Sequence, residues 1–218
     1  MPKQMLNGVH GREKLMEGMQ LLARPVRSTL GPTGKNVVIE KKYSRPVSTK
    51  DGITVSKEVE LPDPFANMGA KILNEVASKT HDKVGDGTTT AVVLAVQLIA
   101  EGRKALASGA KPTELRRGIE KAVDKAIDAI RNLAIPIKSY KEVRQVAYVA
   151  SNADDVLADL VAEAMEKVGK DGVITVEESK GTRTYLDLVE GMQFDKGYIS
   201  PYFITNVKDL TAELEDPY

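Results

Sequence analysis

The chain has 218 residues, 31 basic and 31 acidic side chains, two histidines and no cysteine. This length suffices for one large or two small domains with their own cores, and the balanced charge gives no indication of a nucleic-acid or anionic-membrane partner. The absence of cysteine predicts a protein of a reducing compartment such as the cytosol. The longest unbroken apolar run, residues 91–96, is too short to span a bilayer.

The first predicted element is an amphipathic helix over residues 10–30, in which apolar side chains recur at helical spacing. Pro25 falls inside this stripe and should bend the helix, because proline removes a backbone hydrogen bond. The sequence STLGPTGKN at 28–36 should then end it. That sequence superficially suggests a P-loop, but Thr29 stands in place of the first glycine and Asn36 follows the lysine. This departure from the P-loop pattern argues against a P-loop enzyme or a kinase.

The next segment contains two short β-branched runs, at 37–39 and 53–55, separated by polar residues. We interpret it as a hairpin or paired loops that end at Lys-Asp-Gly, residues 50–52. Asp-Gly is common at hairpin tips, so these residues can be a simple turn. The alternative gives Asp51 a chemical role, either in orienting water or in supporting a metal during phosphoryl transfer.

Five more helices are predicted from the spacing of apolar residues, over 64–81, 89–107, 111–130, 141–150 and 154–168. The sequence Ile-Pro-Ile at 135–137 interrupts the helical pattern and marks the first predicted domain boundary. Two strand-like segments follow the last helix, GVITVEES at 172–179 and TYLDLVEGMQF at 184–194. Gly191 marks a second predicted boundary.

The sequence KVGDGTTTAVVLAV at 83–96 carries the strongest chemical signal. Glycines before a helix let the backbone approach a ligand closely, and the free N–H groups of the first helical turn point at that ligand. Thr88, Thr89 and Thr90 would add hydroxyl donors for phosphate oxygens. Asp86 would be explained by a Mg²⁺ ion between it and the phosphates. The alternative is a glycine turn with a threonine N-cap, but three threonines beside a glycine-flanked aspartate favour the phosphate and metal site.

Other catalytic patterns are not identifiable in the sequence. Two histidines without cysteine leave no zinc-type cluster, and no Ser–His–Asp or Cys–His set stands out. Aromatic residues are concentrated in GYISPYF at 197–203, although the chain has no tryptophan and only three phenylalanines. This cluster is either part of a core or an exposed apolar patch that recognises other proteins.

Six segments together resemble the group I chaperonins of the GroEL type. They occur in order along nearly the whole chain: TLGPTGKNVV (29–38), KDGITV (50–55), NMGA (67–70), EVASKTHDKVGDGTTTA (75–91), EAMEKVGKDGVITVEE (163–178) and VEGMQFDKGYISPYF (189–203). The resemblance implies an ATP-driven protein-folding machine made of one or two rings of seven identical subunits. Its partners would be unfolded client proteins and a lid co-chaperonin, with no nucleic acid and no membrane. Its location would be the cytoplasm of a bacterium rather than an organelle matrix.

The resemblance also implies an α+β multidomain fold, of which this chain matches only the N-terminal part. Residues 1–132 match the first half of a mainly α-helical equatorial ATP-binding domain. Residues 133–189 match the ascending half of a small α/β intermediate domain, which acts as a hinge, and residues 190–218 match the start of the apical client-binding domain. The principal catalytic aspartate of the family lies in a later part of the family sequence. The alternative is therefore a truncated chaperonin-derived chain that binds proteins or nucleotide without hydrolysing ATP.

The site residues follow from the resemblance by position. Asp86 would bind Mg²⁺, Asp51 would help position the attacking water, and Lys50 would contribute its backbone, with a K⁺ ion nearby. The ATP phosphates would be held by two loops, which consist of Thr29, Leu30, Gly31 and Pro32 and of Asp86, Gly87, Thr88, Thr89 and Thr90. The segment 36–50 resembles a stem-loop that reaches a neighbouring subunit. Clients and the lid would bind at Tyr198, Ser200, Tyr202 and Phe203.

Overall fold

The computed structural model describes residues 3–41, 44–169, 172–177, 181, 183–188, 197–208 and 210–214. Within these ranges the chain forms α1 (Gly8–Ser28), β1 (Val37–Ile39), β2 (Val47–Thr49), α2 (Gly52–Glu58), α3 (Pro64–Val84), α4 (Thr88–Ala107), α5 (Pro112–Leu133), α6 (Tyr140–Ala150), α7 (Asp155–Val168) and a 3-10 helix at Pro201–Phe203. The described fold is therefore mostly helical. In this part of the chain, each helix is too short or too polar to cross a membrane.

The chain divides into two compact units, Met1–Asn132 and Leu133–Tyr218. The first unit contains α1 to α5 and the small sheet, and the second contains α6, α7 and the 3-10 helix. The predicted boundary at 135–137 lies close to this division, whereas Gly191, the second predicted boundary, lies outside the described residues. The assignment of 1–132, 133–189 and 190–218 to equatorial, intermediate and apical domains stays a prediction.

The core of the first unit forms around α1. Its apolar stripe buries Leu22 and Val26 completely, and these side chains belong to one cluster with Val55 of α2, Leu73 of α3 and Val92 of α4. Burying a side chain of this size contributes about 1.5–3 kcal/mol relative to leaving it exposed. The predicted stripe of α1 is thus confirmed as far as Val26. The helix continues through Pro25 to Ser28, whereas Leu30, the last predicted member of the stripe, lies beyond the helix and is exposed. This core holds the ends of four helices in fixed positions.

The backbones of α1 and α3 touch where the two helices meet. A Cβ atom added to Gly18 would lie 1.7 Å from the carbonyl oxygen of Ala66, and one added to Gly69 would lie 2.0 Å from the carbonyl oxygen of Leu15. Real side chains do not fit at such distances. The two glycines therefore set the spacing of α1 and α3, from which the loops of the candidate site project.

The predicted hairpin that ends at residues 50–52 is present, but the β-branched run at 53–55 is not one of its strands. The strand that pairs antiparallel with β1 is β2, with Val37 opposite Thr49, and residues 53–55 lie in α2. The physical reason is Asp51, whose carboxylate accepts hydrogen bonds from the N–H groups of Ile53 and Thr54 at 3.4 and 3.1 Å. Such a cap begins a helix, and α2 then buries its β-branched side chains in the core.

The second unit is built around a pair of capped helices. Ser139 and Glu142 form a capping box at the start of α6. The Arg144 guanidinium on α6 pairs with Asp155 at 2.6 Å and also donates to Asp159, both on α7. The hydrogen bond from Arg144 holds the pKa of the Asp159 carboxyl below its ordinary value. These contacts join α6 to α7 through charge as well as through buried alanines.

The strands predicted after α7 are not observed in the part of them that the structure describes. Residues 172–177 and 184–188 have no strand structure, and the remaining residues of both predictions, 178–179 and 189–194, lie outside the described residues. A single extended segment is stable as a strand only when another strand pairs with it. In the described part of this unit, the only strand-like pairing is an isolated bridge between Asn206 and Thr211.

Candidate phosphate-binding site

The loop after α1 is closed by its own backbone. The Lys35 N–H donates to the Ser28 carbonyl oxygen at 2.8 Å, so the chain returns to the end of the helix. Thr29 lies at the base of this loop, only 7% exposed, and its hydroxyl donates to the Val26 carbonyl oxygen at 2.8 Å. Leu30, Gly31 and Pro32, the other predicted site residues of this loop, are exposed. The loop therefore presents its tip to solvent while Thr29 faces the interior of the unit.

The second loop is a three-residue connection between α3 and α4. Gly85 ends α3, and its N–H donates to the His81 carbonyl oxygen at 2.8 Å. Gly85 and Gly87 both have left-handed backbone angles, with φ of 76° and 75°, a conformation that costs other residues about 1–2 kcal/mol. Asp86 lies exposed between them. Its Oδ1 accepts from the Gly87 N–H at 2.6 Å, and its Oδ2 makes no hydrogen bond to the described residues.

The first turn of α4 has the features of an anion-binding helix end. Gly87 occupies the N-cap position and no described side chain caps this helix, so the interpretation of this stretch as a threonine N-cap is wrong. The N–H groups of the first turn have no partner within the helix, and the helix dipole adds partial positive charge there. Thr88 is buried, Thr89 is half-buried and Thr90 is exposed. This turn can donate both backbone and hydroxyl hydrogens to an anion.

Three segments that are distant in sequence meet at Thr89. Its hydroxyl oxygen lies 3.4 Å from the hydroxyl oxygen of Thr29, across 60 positions of sequence. A Cβ atom added to Gly52 would lie 2.1 Å from the same hydroxyl oxygen of Thr89. The loop after α1, the start of α2 and the first turn of α4 therefore form one site. The sequence indicated each motif separately, but it contained no signal for the contact of Gly52 with Thr89.

Asp51 is held locally by α2. Besides the two backbone N–H groups, the Thr54 hydroxyl hydrogen-bonds to Asp51 Oδ2. The Asp51 N–H in turn donates to the Thr49 hydroxyl at 3.0 Å. Among the described residues, no hydrogen bond or ion pair joins Asp51 to Asp86, and the side chain of Lys50, the residue before Asp51, is exposed. Asp51 therefore has a structural role as a helix cap that neither interpretation of its sequence included.

The donor set at this site fits a magnesium ion that is bound together with phosphates. Among the described residues, no group of three or more His, Cys, Asp or Glu side chains could hold a metal ion. Asp86 therefore offers a single carboxylate. Mg²⁺ commonly binds proteins through one or two carboxylates and completes its octahedral shell with substrate phosphates and water. The exposed Asp86 beside the anion-binding turn of α4 matches that requirement.

The aromatic cluster near the end of the chain is exposed. Tyr202 is 98% exposed and Ile199 99% exposed, which excludes the interpretation of these residues as core within the described structure. The Ser200 hydroxyl accepts from the Tyr202 N–H at 3.4 Å, and the Tyr198 hydroxyl accepts from the Ala212 N–H at 3.1 Å. Phe203 ends the 3-10 helix and is also exposed. Tyr198, Ile199, Tyr202 and Phe203 thus give the second unit an exposed apolar patch, beside the half-buried Ser200.

Comparison with known proteins decides the family. Residues 22–218 match the family model described as the TCP-1/cpn60 chaperonin family. This chain belongs to the TCP-1/cpn60 chaperonin family. The match includes every predicted site residue, from Thr29 to Phe203.

Two solved chaperonin structures are similar to this chaperonin chain. The first is a group III chaperonin in the open state, with 26% identity, a TM-score of 0.61, and coverage of 75% of this chain and 34% of that one. The second is the chaperonin gp146 from the bacteriophage EL 2 (Pseudomonas aeruginosa), in the presence of ATP-BeFx, with 29% identity, a TM-score of 0.62, and coverage of 73% and 28%. This chaperonin chain thus spans about a third of the length of these two proteins or less.

Proposed function

We propose that this chaperonin chain is the N-terminal, nucleotide-binding part of a group I, GroEL-type subunit that folds proteins with the energy of ATP hydrolysis. The observation that carries the proposal is the convergence of Thr29, Gly52 and Thr89, which belong to three chaperonin-like motifs. Family membership supports it, as does the similarity to a chaperonin studied with ATP-BeFx. The group I assignment rests on the six segments that resemble that group.

In this proposal the two loops bind the phosphates of ATP. The exposed residues 30–32 follow Thr29, whose hydroxyl lies 3.4 Å from that of Thr89 in the first turn of α4. Asp86 would hold Mg²⁺ through its exposed carboxylate. When bound, Mg²⁺ neutralises part of the phosphate charge. The backbone of Lys50 would contribute to the same site, with a K⁺ ion nearby.

Asp51 has a second role in this proposal, in addition to capping α2. In the complete subunit it helps to orient the attacking water. Thr54 occupies Asp51 Oδ2 with both its N–H and its hydroxyl, whereas Asp51 Oδ1 accepts only a long bond of 3.4 Å from Ile53. The Oδ1 atom is therefore the one with capacity to accept a hydrogen bond from water. Hydrolysis also needs the family's principal catalytic aspartate, which belongs to the complete subunit.

The proposed partners follow from the family. Unfolded clients and a lid co-chaperonin bind at Tyr198, Ser200, Tyr202 and Phe203, and the three aromatic side chains among these are exposed as such a role requires. Identical subunits form one or two rings of seven, with segment 36–50 reaching a neighbour, and the protein works in the cytoplasm. The exposure of Ile199 and Tyr202 also favours a second candidate function, in which the 218-residue chain alone binds unfolded proteins without hydrolysing ATP.

The decisive experiment measures nucleotide binding by the 218-residue chain. We expect Asp86→Ala to lower the affinity for ATP in Mg²⁺ by about tenfold or more, because the metal loses its protein ligand. The affinity for ATP in EDTA should stay the same. Asp128→Ala, on the exposed face of α5, is the matched control. In a complete subunit Asp86→Ala should abolish ATP turnover.

Two results would contradict the proposal. An Asp86→Ala chain with undiminished magnesium-dependent affinity would overturn the metal assignment, as would retained turnover in the complete subunit. A wild-type chain that binds no ATP but suppresses the aggregation of an unfolded protein would support the second candidate function instead.

A further inference from the structure

We infer that Gly52 is a positioning residue of the phosphate site, where its missing side chain leaves the room that the Thr89 hydroxyl occupies. The inference rests on the proposed nucleotide site, and it assigns to Gly52 a role that neither Asp51 nor the threonines can fill.

Space, rather than backbone conformation, explains glycine at this position. The described glycines with left-handed backbone angles are Gly8, Gly31, Gly85, Gly87, Gly109 and Gly169. Gly52 does not belong to this group, so its backbone suits any residue. It is buried, however, and a Cβ atom there would lie 2.1 Å from Thr89 Oγ1 and 3.2 Å from Thr89 Cβ. A methyl group and the Thr89 hydroxyl cannot occupy the same space.

The Thr89 side chain has few ways to avoid such a methyl group. Thr89 belongs to the first turn of α4, and its backbone nitrogen would itself lie 3.3 Å from the added Cβ. A β-branched side chain in a helix has only one or two favourable rotamers. An alanine at position 52 would therefore rotate the Thr89 hydroxyl away or push α2 from α4.

Either response would open the site. The Thr89 hydroxyl lies 3.4 Å from the Thr29 hydroxyl, and this pair joins the two proposed phosphate loops. Rotation of Thr89 would remove its hydroxyl from that pair, and displacement of α2 would move Asp51, which caps it. Gly52 thus acts on the phosphate site through Thr89, without contacting a ligand itself.

The test is a double-variant cycle on the 218-residue chain. We expect Gly52→Ala to weaken binding of ATP with Mg²⁺ by about tenfold. In a Thr89→Ala background the same change should weaken binding by less than about threefold, because the Oγ1 atom that the new Cβ would meet is absent. Gly118→Ala is the matched control, since a Cβ atom at Gly118 on α5 meets no atom within 4 Å. That control should bind ATP like the wild type.

The outcomes separate this inference from the proposed function. Unchanged ATP affinity in Gly52→Ala, or an equal loss in both backgrounds, would overturn the inference and leave the nucleotide site standing. If Gly52→Ala does not fold, recovery of folding in the double variant supports the steric conflict, and failure of both variants contradicts it. If the wild-type chain binds no ATP, the proposed function fails. In that case the same double-variant cycle is measured by urea unfolding. Additive effects on the free energy of unfolding would disprove the contact between position 52 and Thr89.

Discussion

At the scale of single residues, Asp51 combines a structural and a proposed chemical role. Its carboxylate begins α2, so replacing it by alanine removes a helix cap as well as a charge. We expect Asp51→Ala to lower the free energy of unfolding by about 1 kcal/mol, whereas Asp51→Asn, which keeps the acceptor oxygen, should lower it much less. Urea unfolding of the 218-residue chain measures both effects.

The asparagine variant then separates the proposed role of Asp51 in ATP hydrolysis from its role as a helix cap. In the complete subunit, Asp51→Asn should reduce ATP turnover although its stability is close to that of the wild type. Asp124→Ala, at an exposed position within α5, should change stability by no more than about 0.5 kcal/mol and serves as the control. An Asp51→Ala chain that is as stable as the wild type would show that the cap contributes nothing.

The same residues show which parts of the site a sequence can predict. Glycines before a run of threonines indicate a helix end open to an anion, and the structure has that geometry at Gly87 and Thr88. The β-branched residues at 53–55 suggest a strand by their intrinsic preference, but the aspartate that precedes them caps a helix. An aspartate two residues before an apolar run is also a helix-start signal, and it could have identified α2.

At the scale of elements, the helices other than α2 are predictable because apolar side chains recur along them at helical spacing, and this holds even for α5, which buries none of its residues. The first, third and fourth helices pack with these stripes in one core. The sequence could not predict how closely they pack, since the spacing of α1 and α3 depends on Gly18 facing Ala66. That pairing is a tertiary contact without a local pattern. For the same reason the meeting of Thr29 with Thr89 could not be derived from either motif alone.

The pair of α6 and α7 should be sensitive to acid. The pKa of Asp159 lies below its ordinary value because Arg144 donates hydrogen bonds to its carboxylate. A lowered carboxyl pKa contributes stability that is fully present above the ordinary aspartate pKa of about 4 and is lost as the pH falls through the lowered pKa. We therefore expect Asp159→Asn to destabilise the chain more at pH 6 than at pH 2.5.

Chemical unfolding followed by circular dichroism at the two pH values checks this expectation. Asp128→Asn is the control, because Asp128 makes no ion pair with the described residues and lies in the other unit. Its effect should be the same at both pH values. If the effect of Asp159→Asn is also independent of pH, the pairing with Arg144 does not stabilise the fold.

At the scale of the whole chain, the segment at 134–138 separates two units that have their own contacts. It has no helix or strand structure, and Ile135 within it is 87% exposed. Exposed irregular segments are preferred sites of proteolysis. We expect trypsin to cut after Lys138 before it cuts within α1 to α4, giving products that mass spectrometry assigns to the two units. A Lys138→Gln chain should not give this pair of products, and earlier cleavage inside those helices would contradict the division.

The organisation of the chain was only partly visible in its sequence. Ile-Pro-Ile at 135–137 indicates a break beside the observed division, because a proline disfavours helical backbone in the residue before it. The strands predicted beyond α7 could not be judged from their own residues, since a strand depends on a neighbour to complete its hydrogen bonds.

The short connection from Gly85 to Gly87 has a mechanical consequence. It links two helices of about twenty residues each, and three residues leave almost no slack between them. A shift of α4 along α3 would therefore also displace Asp86. By thermodynamic linkage, any ligand that Asp86 holds in one arrangement resists every other arrangement of these helices. The affinity of the site for its ligand would then depend on the position of α4 relative to α3.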